Sequence, residues 1–198
     1  MIKEKFDFVH DIQKVYRNLL DSMSKPGVIN NIKNEVDKLD VYSDLSKGLM
    51  TLSYTLLNIE SKFYTKDEND KNYIKLRTLG KSVGIEKAEF IIMDIAKYTK
   101  DEILSTLEKV QIGTLEDPHL GATVVIKTSN LSNDKKYILK GPGIKDMAYV
   151  DIEGIDMDFF NKRTEIMYEY PLGFDLIFID SNGNLLCLPR TTKVEVNN

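Results

Sequence analysis

The segment Pro189-Arg190-Thr191-Thr192-Lys193 gathers a guanidinium, two hydroxyls and an ammonium in one short stretch, and it is the most informative polar segment of the chain. Arginine presents a planar fork of N–H donors that suits a phosphate, a phosphonate or a partner's carboxylate. Two readings are open at Arg190. Either it grips an external oxyanion together with Thr191, Thr192 and Lys193, or it closes an ion pair with an internal acid such as Asp175. The first would make this segment an anion clamp acting by positioning and charge stabilisation.

Other reactive groups are few. The two histidines are His10 and His119. His10 falls in a helix and reads as structural or exposed. His119 lies in the loop Asp117-Pro118-His119-Leu120-Gly121, where functional groups often collect, yet a general base needs positioned partners that the sequence does not supply. Lys140-Gly141-Pro142-Gly143-Ile144 lacks both the GxxxxGKS/T and the GxGxxG frames. Gly141 and Gly143 around a proline spell a tight turn, whose amides could still approach an anion because glycine removes the steric barrier. The single cysteine, Cys187, lies in the apolar run Leu185-Leu186-Cys187-Leu188 and reads as buried rather than nucleophilic. No HxxxH, HExxH or cysteine cluster is present, so no metal is expected.

Composition narrows the partners. A chain of 198 residues, 42% hydrophobic and 29% charged, is expected to form one globular domain, 1–198. The formal net charge is −4 and the basic residues are spread along the chain, which argues against a nucleic-acid partner. The N-terminus lacks the apolar core of a signal peptide, and no run approaches the ~18 apolar residues of a membrane span. A cytoplasmic protein with no membrane partner is the expectation.

The elements that must position these groups alternate between helix and strand. Phe8, Ile12, Val15, Tyr16, Leu19, Leu20 and Met23 recur every three or four residues, forming one apolar stripe on a helix that opens at Asp7 and stops at Lys25-Pro26-Gly27. Val28-Ile29 starts a short strand. A second helix runs from Ser43 or Asp44 to Asn58, with Leu49, Leu52, Leu56 and Ile59 facing inward. Phe63-Tyr64 is a short strand. The polar run 66–72 reads as a solvated loop or helix start, and a third helix follows through Tyr73, Ile74 and Arg77 to near Gly80. Strands are expected at Phe90–Met93, Ala122–Ile126 and Tyr137–Leu139, with a helix capped by Thr99 or Asp101 between the first two. A further helix spans Asp156 to Glu169. Phe174–Ile179, the turn Ser181-Asn182-Gly183 and Leu185–Leu188 form a hairpin. Several strand runs are apolar throughout, the mark of burial on both faces. The expected class is α/β, a mixed β-sheet flanked by helices with an antiparallel pair at its end.

Ordered blocks along the chain resemble a known family. Tyr16-Arg17-Asn18-Leu19-Leu20-Asp21-Ser22-Met23-Ser24-Lys25-Pro26-Gly27 is similar to an aromatic-Arg-x-Leu-Leu-x-Ala-Met-Ser-x-Pro-Gly opening. Gly113-Thr114, Pro118 and Gly121-Ala122-Thr123 resemble a GT…P…GAT block, and Gly141-Pro142-Gly143-Ile144 a glycine turn. Pro171-Leu172-Gly173-Phe174-Asp175-Leu176 and Leu188–Val196 resemble PLG-x-DL and PRTT-x-VEV signatures. In this order they resemble the PhnH-type subunits of the bacterial carbon–phosphorus lyase core complex.

That resemblance implies a fold like the large domain of pyridoxal-phosphate-dependent transferases, without the cofactor. It implies a homodimer that joins three other subunit types in a core complex. The pathway it implies replaces the adenine of ATP with an alkylphosphonate, giving a ribose 1-alkylphosphonate 5-triphosphate. A nucleosidase-like and an iron–sulfur radical partner are the implied chemical centres, so no catalytic residue is assigned here. Asp175, Arg190, Thr191, Thr192, Gly141, Gly143 and His119 are the candidate ligand- or partner-binding residues. A free-standing enzyme or binding protein for a phosphorylated small molecule is the alternative. Lys140, Lys145 and Lys193 are available amines, but the family shows no Schiff-base lysine, and no cofactor is expected. The chain departs from the family at Leu56-Leu57-Asn58-Ile59-Glu60-Ser61, where a Leu-Ala-Asp-x-Asp-Thr-like run is usual, and at Arg77-Thr78, where a His-Thr pair is usual.

Overall fold

A computed structural model describes residues 5–197. In chain order the helices are α1 (His10–Ser24), α2 (Lys33–Lys38), α3 (Lys47–Leu56), α4 (Glu68–Thr78), α5 (Lys100–Leu107) and α6 (Met157–Ile166). The strands are β1 (Asn30–Asn31), β2 (Lys62–Tyr64), β3 (Lys81–Ser82), β4 (Phe90–Asp94), β5 (Thr123–Lys127), β6 (Leu131–Lys140), β7 (Ala148–Ile152), β8 (Asp175–Ile179), β9 (Asn184–Leu188) and β10 (Lys193–Val196).

Seven strands form one mixed sheet in the order β1-β9-β8-β5-β4-β2-β3. Its centre is parallel, with Ile91 beside Val124 and Val124 beside Leu176. The hairpin adds the antiparallel pair, Leu176 opposite Leu188 and Ile179 opposite Leu185. The apolar runs are explained by two cores, one on each face. Ile91, Val124, Leu176 and Leu186 pack with α5, α6 and a second, three-stranded antiparallel sheet, β10-β6-β7. Ile92, Val125, Ile177 and Cys187 pack with α1 to α4. Successive residues of a strand point to opposite faces, so a strand covered on both sides has no polar positions to alternate. The expected mixed sheet flanked by helices, with its terminal antiparallel pair, is present.

Side-chain oxygens set the helix starts. Ser46 accepts from the Leu49 amide, Asp67 from Asp70 and Asp156 from Phe159, while Thr99 and Glu102 form a reciprocal capping box. Asp7 accepts from the Val9 and His10 amides just ahead of α1.

Several sequence expectations need correction. The α1 stripe is broader than the arc the sheet covers: Val15 and Leu19 are buried, but Phe8, Tyr16 and Leu20 are exposed. The second helix starts only where Ser46 caps it, and Ile59 lies past its end and is exposed. Val28-Ile29 precedes β1, whose pairing with β9 involves Asn30 and Asn31. The run 66–72 is the helix start of its two readings, the cap and first turns of α4, but its Asp70 is buried rather than solvated. Helix α6 ends at Ile166, not Glu169, before a turn closed by Leu172 N–H to Glu169 O ahead of β8. The strand at Tyr137–Leu139 is one end of the ten-residue β6, whose middle is polar because it faces solvent.

Candidate functional site

Strand β9 ends at Leu188 and delivers Arg190 beside the start of β8. There Arg190 Nη2 lies 3.0 Å from Asp175 Oδ2 and Nε 3.4 Å from Oδ1, while the Arg190 amide donates to Oδ1 at 2.7 Å. Nη1 donates to the Pro118 carbonyl at 2.7 Å. Of the two readings open at Arg190, the pair with Asp175 is the one formed, and the fork is largely spent inside the protein.

The blocks that carry the family resemblance close around this pair. A Cβ on Gly121 would fall 2.1 Å from the Gly173 carbonyl oxygen and 2.8 Å from Arg190 Nη1, so the loop before β5 can approach only as glycine. A Cβ on Gly141 would meet the Thr191 carbonyl oxygen at 2.9 Å. Gly143 takes φ +83°, and a Cβ there would meet the Ser24 carbonyl oxygen at 2.5 Å. Pro26, Gly143, Gly141, Thr191, Arg190, Asp175, Gly173 and Gly121 thus form one continuous seam, although their positions in the chain are widely separated.

Beneath the seam lies Arg163 of α6, only 4% exposed. It donates Nη1 to the Thr192 carbonyl at 3.0 Å and Nη2 to the Pro189 carbonyl at 2.8 Å. No carboxylate among the described residues forms an ion pair with it, and both its Nε and the Thr192 hydroxyl lack a hydrogen-bond partner. Burial pulls its pKa down to about 10; nearby Asp175 opposes that shift and Arg190 adds to it. Arg163, Tyr170, Arg190, Thr191, Thr192 and Lys193 help line a cavity of about 490 Å³. Its rim holds the exposed Lys193 and the half-buried Thr191. Glu195 also lines it and is paired with Lys140 at 2.7 Å, so Arg163 and Lys193 leave the lining net basic, suited chemically to an oxyanion or to an acidic side chain.

The other candidates lie outside this cavity. Gly141 and Gly143 serve the seam as packing positions. The His119 ring is exposed and 3.7 Å from Asp117. His10 is exposed and paired with Asp7 at 2.9 Å. Cys187 is fully buried, with a thiol that burial pushes up to about 12. No three-residue metal cluster occurs among the described residues. At the positions that depart from the family, Asn58 Oδ1 accepts from the Glu60 and Ser61 amides in a local turn, and Arg77 lies over the Tyr73 ring.

Sequence reasoning missed Arg163. Its signal was available: it follows Phe160 by three and Phe159 by four residues, on the same buried face of α6. It also missed Asp180, buried at the hairpin turn, where it accepts from the amides of Leu131, Asn182 and Asn184.

Residues 5–195 match the family model "Bacterial phosphonate metabolism protein (PhnH)". A protein of Stutzerimonas stutzeri named as C-P lyase subunit protein HtxG is 30% identical over 185 residues, covering 93% of this chain and 86% of that protein. The alpha-D-ribose 1-methylphosphonate 5-triphosphate synthase subunit PhnH of Rhizobium meliloti (strain 1021) is 26% identical over 193 residues, covering 96% of this chain and 92% of that one. With the family model spanning nearly the whole chain and the blocks that carry the resemblance meeting in a single seam, this chain belongs to the PhnH family of bacterial phosphonate-metabolism proteins.

Proposed function

We propose that the chain is an accessory subunit of a carbon–phosphorus lyase-type complex. In this reading it supports formation of ribose 1-alkylphosphonate 5-triphosphate from ATP and an alkylphosphonate, and the bond-making groups belong to other subunits. It acts as one PhnH-like domain, as a homodimer, in the cytoplasm. Its seven-stranded sheet corresponds to that of a pyridoxal-phosphate-dependent transferase large domain turned to assembly. The transferase and lyase chemistry belongs to the whole complex.

The observation that carries this reading is the fate of the polar groups in the seam. Arg190 is committed to Asp175 and the Pro118 carbonyl, and Arg163 to the carbonyls of residues 189 and 192. These bonds fix the shape of the segment that ends in Thr191 and Lys193, presenting it as a rigid rim. A rim of this kind suits recognition of a partner, because the bonds of Arg163 and Arg190 hold its shape while Lys193 stays exposed.

The test is co-expression of the tagged chain with the other complex subunits, followed by native mass spectrometry. A stoichiometric assembly is expected, weakened by Lys193→Glu, a change on an exposed position that leaves the seam intact. A chain that elutes without any partner overturns the assembly role.

One observation favours a second reading, a binding protein for a phosphorylated or phosphonate-bearing small molecule. Arg163 is buried without a carboxylate, and the adjoining cavity carries Lys193 at its rim. Saturable binding of methylphosphonate by the chain alone, lost in Lys193→Glu, would select this reading.

A further inference from the structure

The cavity bordered by Thr191 and Lys193 lies between a helix and a free sheet edge. Arg163, Thr164 and Met167 line it from the α6 side and residues 190–195 from the other. Strand β10 is the outermost strand of the three-stranded sheet β10-β6-β7 and pairs with β6 alone.

The register fixes which peptide groups that pairing uses. Lys193 lies opposite Lys140 and Glu195 opposite Ile138, and the Asn197 amide donates to the Lys136 carbonyl at 3.0 Å. In an antiparallel pair, residues that exchange hydrogen bonds alternate with residues whose N–H and C=O point the other way. Residues 193, 195 and 197 therefore face β6, while Val194 and Val196 turn their peptide groups outward. Arg163 of α6 reaches the same edge, donating to the Thr192 carbonyl two residues before Val194. The outward N–H and C=O groups thus open on the α6 side, and no hydrogen bond to them occurs among the described residues. Such a row is a template for another strand.

The walls select what can lie there. Val194 and Met167 pack against the same core, so residues of an added strand that point to this side meet an apolar wall. Residues of the opposite phase point to the side of Lys193, which is exposed, and of Glu195, which Lys140 neutralises at 2.7 Å. Arg163 adds a positive charge that no carboxylate among the described residues pairs with.

We infer that β10 is a docking edge for an extended segment of a partner subunit, in which apolar residues alternate with acidic ones, added as a fourth strand beside α6. The inference rests on the assembly reading and names the chemistry of the partner at that site.

The experiment is residue-resolved hydrogen–deuterium exchange of the full chain, alone and in the co-expressed assembly, together with carbodiimide cross-linking of the assembly. The Val194 and Val196 amides should exchange freely in the chain alone and about tenfold more slowly once assembled, while Glu195, already bonded to β6, changes less. The cross-link should join Lys193 to an aspartate or glutamate of the partner. Val194→Pro removes an outward N–H without touching the β6 ladder, a position where an edge strand tolerates proline. It should weaken assembly about fivefold, the effect of one neutral hydrogen bond. Val196→Pro, at an exposed position, makes the same test if the first variant misfolds.

Assembly without slowed exchange at Val194 and Val196, or at full strength in both proline variants, overturns the strand and leaves the assembly role standing. Slow exchange already in the chain alone means that a second copy covers the edge, and it overturns the partner segment. A slowed edge with no cross-link from Lys193 overturns its acidic character. Absence of any assembly overturns both readings.

Discussion

Arg190 and Asp175 meet as a fork on a carboxylate, with Nη2–Oδ2 at 3.0 Å and Nε–Oδ1 at 3.4 Å, and the Arg190 backbone amide adds a third bond to the same acid. Both side chains are less than a quarter exposed, at 19% and 24%. The pair joins the end of β9 to the start of β8 across the open end of the hairpin. It also carries the Pro118 loop, since Nη1 donates to that carbonyl.

Arg190→Ala should therefore destabilise the fold by about 2 kcal/mol, within the range for hydrogen bonds to charged groups, because Asp175 and the Pro118 carbonyl each lose a donor. Arg190→Lys should recover little of it, since an ammonium cannot reproduce the fork. Urea denaturation at neutral pH measures both. An alanine variant as stable as the wild type would show that the pair contributes nothing to the seam.

Glycine substitutions separate close approach from open space. A Cβ at Gly121 would sit 2.1 Å from backbone oxygen, whereas one at Gly84 meets nothing within 4 Å. Gly121→Ala should cost more than about 3 kcal/mol or prevent folding, as backbone has to move. Gly84, at φ −63°, should accept alanine with a gain of about 0.4–1 kcal/mol through a less flexible unfolded chain. Thermal melts of the two variants should move in opposite directions.

Cys187 packs on the α1–α4 side of the sheet and is fully buried. With its pKa pushed up to about 12, the thiol is neutral at pH 8 and out of reach of a reagent. Labelling by a thiol-specific disulfide reagent should be undetectable in native protein and complete in denaturant. At intermediate denaturant its rate should follow the unfolded population. Rapid native labelling would mean that the α1 layer opens independently.

Asp156 gives a pH dependence of definite sign. Its pKa is lowered by the Lys100 ammonium, with burial opposing and the Phe159 amide assisting. Because the folded carboxyl binds its proton less readily than the unfolded one, the unfolded state takes up more protons as pH falls. The stabilisation is full above an ordinary aspartate pKa and is lost as pH drops below it through the folded value. Asp156→Asn keeps a capping oxygen for α6 but loses the charge facing Lys100, so it should be less stable than wild type at pH 7 and converge with it at low pH. Its loss of stability between pH 5 and pH 3 should be shallower, as followed by urea midpoints.

The local decisions were legible in the sequence. Thr99 followed by Glu102, the Asp156 start of α6 and the turn at Asn182-Gly183 each act within four residues, where short-range hydrogen bonds and backbone sterics dominate. The unbroken apolar runs at Phe90–Met93 and Leu176–Ile179 announced a sheet covered on both faces. The order of the blocks, from Tyr16 through Val196, was sufficient to identify the family.

Tertiary structure decided the rest. Nothing local distinguishes an Arg190 that reaches outward from one that turns to Asp175, because the choice depends on where β8 starts relative to β9 and on a Pro118 carbonyl far away in the chain. The same holds for Phe8, Tyr16 and Leu20: periodicity makes them a stripe, but only the width of the covering layer determines that they stay exposed. Asp70 looks like a surface charge until the sheet is assembled around it. Burial is a property of the whole packing, and sequence spacing carries it only where one neighbouring face is certain to be covered.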